Sequence, residues 1–187
     1  MPGEAVVSPK LDFMRSRPSQ ILEELSRTVT KEEIGLLVGQ SLGGFYALAL
    51  GVWHDLPCVL TNPCLFPAET AVVTESELSR EILEEYRSLS SAPAFGKAFI
   101  LLSRNDTVIP GNLEICRRVT DKIKMFDGTH SRIEGLDEEL KILIPAIRRA
   151  KGVFDLSDLD APEFSDLYEW SKEHPDQLNE AFRYGKG

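Results

Sequence analysis

The segment Gly39-Gln40-Ser41-Leu42-Gly43 places a serine between two glycines, after the apolar run 34–38 and before the apolar run 44–50. A buried strand, a glycine-flanked serine and a helix in this order form a nucleophile elbow, whose sharp turn holds the serine hydroxyl clear of the sheet. The two glycines remove Cβ atoms that would clash where strand and helix approach closely. The free N–H groups of the helix, that of Leu42 first, would face the position where an oxyanion forms. Ser41 is therefore a candidate nucleophile for attack on an acyl carbon.

A candidate acid and a candidate base follow the serine along the chain. The apolar run 98–103 predicts a buried strand that delivers Asp106 just beyond its C-terminal end. A second predicted strand, 122–126, is followed by a turn that contains His130. Serine, aspartate and histidine in this order form the triad of an α/β-hydrolase, in which each residue lies in a loop at the carboxyl edge of the sheet. Ser41 would attack the acyl carbon, His130 would take and return the proton, and Asp106 would fix the imidazole tautomer.

Each of these residues also has a purely structural interpretation. Ser41 could be only a helix N-cap, Asp106 an Asx-turn residue and His130 a solvated loop residue. Asp127 competes as the acid, but it shares the turn of His130 and would have to reach back within that turn. The other two histidines, one just past the elbow helix and one before a proline in an acidic tail, are poorer candidate bases: His54 and His174. The three strand-plus-residue units in order favour the triad.

Composition and charge exclude several classes of function. With 187 residues, of which 42% are hydrophobic, the chain can bury one sizeable core. A formal net charge of -9 argues against nucleic acid and anionic membranes as partners, and no apolar stretch is long enough to span a bilayer. The sequence contains no metal-binding motif and no phosphate-binding glycine loop, so we expect neither a metal nor another cofactor. Three cysteines without a C-x-x-C pair indicate reduced thiols in a cytoplasmic protein: Cys58, Cys64 and Cys116.

Predicted strands and predicted helices alternate along the chain. The strands are 34–38, 57–61, 98–103 and 122–126, and the helices are 19–26, 42–53, 75–89, 111–119 and 136–150. This alternation predicts an α/β fold with a mostly parallel sheet and helices on both of its faces. Residues 1–150 form the predicted domain. Residues 151–187 form an extension with nine acidic, four basic and six aromatic residues, for which we expect partial packing on the domain.

The segment between the second and third predicted strands is longer than a simple crossover requires. It follows the carboxyl end of a strand, where substrates bind in α/β folds. Four of its apolar residues either line an acyl pocket or are ordinary packing residues: Leu65, Phe66, Val72 and Val73. Cys64 could lie near the site, although a structural thiol is the more favoured interpretation.

The sequence resembles the small bacterial YqiA/YcfP-like α/β-hydrolases, which are compact, esterase-like proteins without a large cap domain. The resemblance covers roughly residues 5 to 149 and rests on segments 39–46, 61–67, 101–106 and 128–130. It implies an α/β-hydrolase fold and an ester or thioester hydrolase. It also implies that Ser41, Asp106 and His130 act as nucleophile, acid and base.

The sequence departs from this family at its N-terminus. Family members open with a strand that ends in His-Gly-Phe, and the following loop supplies a second oxyanion N–H. Here residues 5–8, which we expect to form the family's next strand, follow almost directly after Met1. The missing unit of ~30 residues, one strand and its crossover helix, would place that strand between 5–8 and the strand before Ser41. A start assigned too late, a degraded copy, or a first strand moved into the gap would each explain the difference.

These observations predict a serine hydrolase that cleaves small carboxylic esters or thioesters through an acyl-enzyme. The alternative is an inactive or weakly active pseudoenzyme that uses the hydrolase fold to bind a protein. An acyltransferase with the same triad is a third possibility, distinguished by its acceptor. Loss of one oxyanion donor typically lowers turnover ~10²–10³-fold, which is the reason for keeping the pseudoenzyme in view. The sequence leaves the acyl chain, the leaving group and the oligomeric state open.

Overall fold

A parallel four-stranded sheet forms the centre of the protein. The computed structural model describes residues 6–150, so the predicted extension 151–187 lies outside the described residues. The strands lie in the order β1-β2-β3-β4, and every neighbouring pair is parallel. Their bounds are Leu37–Gln40 for β1, Cys58–Thr61 for β2, Ala98–Ser103 for β3 and Ile123–Phe126 for β4. The predicted parallel α/β architecture is confirmed.

Helices connect these strands, and a short hairpin follows the last of them. The helices are α1 (Pro18–Lys31), α2 (Leu42–His54), α3 (Ala71–Thr74), α4 (Arg80–Leu89), α5 (Asn112–Cys116) and α6 (Leu136–Ala150). A single 3₁₀ turn, Pro67–Glu69, precedes α3. The hairpin consists of β5 (Gly128–Thr129) and β6 (Arg132–Ile133), which are antiparallel. None of the helices in residues 6–150 is long and apolar enough to cross a membrane.

The two central strands are buried on both faces, which is why they appear in the sequence as continuous apolar runs. On one face, Leu60 and Ile100 pack with Leu48 of α2. On the opposite face, Val59 and Phe99 pack against α6. Alternate residues of each strand thus serve opposite layers of the core. The prediction of helices on both faces is confirmed.

Several predicted elements differ from the observed ones; for example, the helix predicted at 19–26 is Pro18–Lys31 and that predicted at 111–119 is Asn112–Cys116. The helix predicted at 75–89 begins only at Arg80, because the side chain of Ser79 caps it by accepting a hydrogen bond from Ile82 N (3.3 Å). The helix predicted at 42–53 ends one residue later, at His54, and its residue Trp53 is 65% exposed. Residues 6–8, the described part of the strand expected at 5–8, form no strand. A strand requires a partner, and this segment pairs with none in the part of the chain that the structure describes.

The outer edge of β1 faces a groove of about 540 Å³. Strand β1 pairs with β2 on its other side, and among residues 6–150 no strand pairs with this outer edge. Val38 of β1 is accordingly 53% exposed. Residues 6–9 line the groove together with parts of α1, α2 and α6. They do not fill the edge as a strand, so the expectation that the first strand has moved into the gap is wrong for these residues.

Candidate active site

Ser41 lies on a strained turn between the end of β1 and the start of α2. Its φ of 49° and ψ of -120° lie in a region that residues with a side chain rarely adopt. Three backbone hydrogen bonds hold the turn. Ser41 N donates to Thr61 O (3.0 Å), and Ser41 O accepts from Gly44 N (2.9 Å) and Cys64 N (2.8 Å). The end of β2 and the loop after it therefore hold both the N–H and the carbonyl group of Ser41.

The elbow requires two glycines, but they are not the two that flank the serine symmetrically. A Cβ atom on Gly39 would collide with the carbonyl oxygen of Gly43 and would lie 2.8 Å from Ala47 Cβ. A Cβ atom on Gly44 would lie 2.6 Å from Pro63 Cβ. At Gly43, by contrast, no atom lies within 4 Å of the position that a Cβ would take. The close approach that we expected at Gly43 thus occurs one residue later.

The structure brings Ser41, Asp106 and His130 into one hydrogen-bonded chain. The distance from Ser41 Oγ to His130 Nε2 is 2.8 Å, and that from His130 Nδ1 to Asp106 Oδ2 is 2.9 Å. Because an ionised carboxylate only accepts hydrogen bonds, His130 Nδ1–H donates to Asp106, and the neutral Nε2 accepts from the serine hydroxyl. The imidazole tautomer is then the one that can remove a proton from Ser41.

Asp106 is held in place by its own loop. Its Oδ1 accepts hydrogen bonds from Val108 N (2.9 Å) and Ile109 N (3.1 Å), while Oδ2 faces the imidazole. The side chains of Asp106 and His130 are only 6% and 12% exposed. The Asx-turn interpretation and the acid interpretation of Asp106 are therefore compatible, since one carboxylate oxygen serves each.

The competing candidates lie elsewhere. Asp127 forms an ion pair with Arg104 (Oδ1 to Nε, 3.5 Å) in which both side chains are largely exposed. His54 is the last residue of α2, at the opposite end of this helix from Ser41. Its Nε2 lies 2.8 Å from Ser26 Oγ and so links α2 to α1. His174 lies outside the described residues. Among the candidates that the structure describes, His130 is the histidine that contacts Ser41, and Asp106 is the aspartate that contacts His130.

The first turn of α2 supplies a candidate oxyanion donor. Leu42 is the first residue of this helix, and its N–H has no intrahelical acceptor because the first N–H groups of a helix never do. The positive end of the helix dipole lies at the same place. The predicted role of Leu42 is consistent with this position, and it stays a prediction.

Two polar residues at the site were not singled out from the sequence. Asn62 and Ser103, at the ends of β2 and β3, are 0% and 5% exposed and hydrogen-bond both to each other and to the turn that carries His130. In the sequence, Asn62 stood out only as part of segment 61–67, on which the family resemblance rests. The available signal was an Asn-Pro pair directly after a buried strand, because asparagine readily adopts the left-handed conformation seen here, with φ 41°.

The four apolar residues considered for an acyl pocket divide between core and surface. Leu65 is buried in the main core, and Phe66 packs against that core. Val72 is 58% exposed. The groove beside β1 is lined by other residues. The packing interpretation is therefore confirmed for Leu65.

The three cysteines are buried and free. Burial raises the pKa of the Cys58 and Cys116 thiols to about 12, and burial also raises the pKa of the Cys64 thiol. Cys64 Sγ lies 3.2 Å from Thr70 Oγ1. Within residues 6–150, no group of three or more His, Cys, Asp or Glu side chains is arranged to hold a metal ion.

Comparison with known proteins gives the chain a family and a fold. The uncharacterised protein family UPF0227 matches residues 5–144, and the chain belongs to this family. A UPF0227 protein of Shewanella woodyi is 27% identical over 128 residues, which is 65% of this chain and 65% of that relative. The match thus spans just under two thirds of the relative's length.

A solved structure shows the same architecture. It comes from work on LipS and LipT, two metagenome-derived lipolytic enzymes, and it matches with a TM-score of 0.51 at 14% identity. The match covers 73% of this chain and 76% of the other. Together with the parallel sheet and its flanking helices, this likeness defines a compact α/β-hydrolase-like fold, as predicted.

Proposed function

We propose that this protein is a serine hydrolase that cleaves small carboxylic esters or thioesters through an acyl-enzyme. The observation that carries the proposal is the pair of hydrogen bonds that joins Ser41 to His130 and His130 to Asp106. The structural likeness to a protein from work on lipolytic enzymes supports the same reaction class. The three buried, free thiols support a reducing compartment such as the cytoplasm.

The proposed reaction proceeds in two half-reactions. Ser41 Oγ attacks the carbonyl carbon of the substrate while its proton passes to His130 Nε2, and the oxyanion accepts a hydrogen bond from Leu42 N–H. The tetrahedral intermediate collapses, the proton passes from His130 to the departing alkoxide or thiolate, and the acyl group remains on Ser41. Water then attacks the acyl carbon, again with proton transfer to His130. Collapse returns the proton to Ser41 and releases the carboxylic acid.

Hydrolysis of p-nitrophenyl acetate by wild type and Ser41→Ala tests the proposal. We expect wild-type turnover above the buffer rate and loss of at least ~10³-fold in Ser41→Ala, because the proposed acyl-enzyme forms on the Ser41 hydroxyl. Ser88→Ala is the matched control, since this serine lies on the exposed side of α4 and donates only to Glu85 O. Background rates in both wild type and Ser41→Ala would contradict the hydrolase proposal.

The open edge of β1 favours one second candidate, a hydrolase-fold protein that binds an extended segment of a partner protein. The outward-facing backbone groups of β1 have no strand partner in the described part of the chain, and an exposed edge of this kind can accept an added strand. The groove beside the edge has room for the side chains of such a strand. Titration of the partner segment into wild type and into Ser41→Ala separates the two candidates. A binding protein has the same affinity for the segment in both proteins, and its wild type shows no serine-dependent turnover.

A further inference from the structure

The buried side chain of Asn62 connects the end of β3, the strand before the acid, to the turn that carries the base. Its Nδ2 donates to His130 O (2.9 Å) and to Ser103 Oγ (3.0 Å), with Thr129 O at 3.3 Å. Its Oδ1 accepts from Ser103 N (2.8 Å). Both ends of one amide are therefore occupied, and the side chain is fully buried.

The orientation of this amide follows from its partners. Ser103 N can only donate and His130 O can only accept, so exchanging the oxygen and nitrogen of Asn62 would oppose two donors at one end and two acceptors at the other. The Ser103 hydroxyl accepts from Asn62 and in turn donates to Thr129 O (2.7 Å). Asn62 and Ser103 thus form a network with the carbonyl groups of residues 129 and 130, in which each polar group has a defined role.

The backbone around Asn62 holds the serine at the same time. Thr61 O accepts from Ser41 N, and Cys64 N donates to Ser41 O. The segment 61–64 therefore contacts the nucleophile through its main chain and the base through the side chain of Asn62. One short segment thus contacts both Ser41 and the turn of His130.

Besides Asn62, the turn that carries His130 is held by the hydrogen bond from His130 Nδ1 to Asp106 Oδ2 and by that from Ser103 Oγ to Thr129 O. It lies between the two-residue strands β5 and β6. An exposed ion pair joins Asp127 to Arg104, and such pairs contribute little in water. The buried hydrogen bonds of the Asn62 amide restrain the turn more strongly than this exposed ion pair does, because water does not compete for them.

We propose that Asn62 is a positioning residue for catalysis: it sets the distance between His130 and Ser41 by holding the backbone of residues 129–130 against the ends of β2 and β3. This inference rests on the proposed hydrolase function for its kinetic consequence. The hydrogen bond from Asn62 to His130 O, and the hydrogen bond between His130 Nδ1 and Asp106, can be measured without turnover.

Two substitutions remove the network in different ways. Asn62→Ala deletes both ends of the amide. Asn62→Asp keeps the shape and the acceptor for Ser103 N, but it places a carboxylate oxygen against the carbonyl oxygens of residues 129 and 130. Ser103→Ala removes the bond from Asn62 Nδ2 to the Ser103 hydroxyl and the bond from that hydroxyl to Thr129 O, and it leaves the bonds of Asn62 to His130 O and Ser103 N. We therefore expect the order of effect Asn62→Asp, then Asn62→Ala, then Ser103→Ala.

The kinetic readout is kcat and KM for p-nitrophenyl acetate. We expect kcat to fall about 10²-fold in Asn62→Asp with KM changed less than about twofold, because a misplacement of about 1 Å in the catalytic groups costs that much. Tyr86→Phe is the matched control. It removes another buried hydrogen bond, the 2.7 Å contact between Tyr86 and Tyr46, and so lowers the unfolding temperature without touching the site.

A second readout requires no turnover. The Nδ1 proton that His130 shares with Asp106 should give a low-field NMR resonance in wild type and in Tyr86→Phe, and it should be lost or shifted in Asn62→Asp and Asn62→Ala. If wild type lacks Ser41-dependent turnover, the hydrolase proposal fails and this resonance alone decides the positioning role. An unchanged resonance in both Asn62 variants would overturn the inference, as would a kcat within about twofold of the Tyr86→Phe value.

Discussion

A Cβ atom on Gly44 would lie 2.6 Å from Pro63 Cβ and 2.9 Å from Pro63 Cα. This contact joins the first turn of α2 to the loop after β2. The same loop begins with Asn62. Ser41 N donates to Thr61 O just before this loop, and Cys64 N within the loop donates to Ser41 O. Gly44 and Pro63 thus control how closely the elbow approaches the residues that position His130.

Gly44→Ala should destabilise the fold by about 1–3 kcal/mol, the usual cost of overpacking, because the new methyl group meets a proline ring that has little freedom to move. Gly43→Ala is the control, since its Cβ position is open. There we expect unchanged or slightly greater stability, because alanine is favoured over glycine within a helix by up to about 1 kcal/mol. Urea unfolding of the two variants measures the difference. Equal destabilisation by both would contradict the contact.

Asp106→Asn should lower kcat on the order of 10³–10⁴-fold, because an amide can offer an N–H to His130 Nδ1 and so favour the wrong imidazole tautomer. Asp127→Asn is the matched control: this aspartate is exposed and pairs with Arg104. We expect its kcat within about twofold of wild type, since exposed ion pairs contribute little. Steady-state kinetics on p-nitrophenyl acetate distinguish the two. A larger loss in Asp127→Asn would assign the acid to the other aspartate.

The buried thiols should make stability fall at high pH. Cys58 and Cys116 have a pKa of about 12 in the folded protein against an ordinary value of 9.0. Above pH 9 the unfolded chain loses protons that the folded chain keeps, so the free energy of unfolding declines by about 1.4 kcal/mol per pH unit for each thiol. The full contribution is present below pH 9 and is lost as the pH rises towards 12. Urea unfolding at pH 8, 9.5 and 10.5 measures the slope.

Cys116→Ala provides the control for this slope, because lysines and tyrosines also titrate in the same range. The variant should show a shallower decline by about the contribution of one thiol. In native wild type at pH 8 we also expect no reaction of these thiols with Ellman's reagent. Rapid labelling of the folded protein, or identical slopes with and without Cys116, would contradict their burial.

The sequence predicted the elements that packing alone determines. Residues 98–103 are buried at every position of β3, so an uninterrupted apolar run is a sufficient signal. The elbow was found for a similar reason, since its glycines, serine and flanking strand are contiguous. Asp106 and His130 were identified because parallel strands end at one edge of the sheet, which converts chain order into proximity.

Contacts between distant residues that do not follow from strand order were not predicted. Asn62 acts through partners 41 and 68 residues away, and nothing in its local sequence specifies them. The requirement for glycine at position 44 rather than 43 depends on Pro63, which belongs to another loop. Residues 6–8, the described part of the strand expected at 5–8, form no strand although they line the groove beside the open edge of β1, and nothing in their local sequence shows that they stay unpaired.

The central claim is that His130 activates Ser41, and labelling with a fluorophosphonate tests it most directly. Mass spectrometry of the digested protein should locate one phosphonyl group on Ser41 in wild type, with labelling in His130→Ala slower by at least ~10²-fold, the usual contribution of a positioned base. A serine that remains unlabelled in wild type, or one labelled equally fast without the imidazole, would contradict the account.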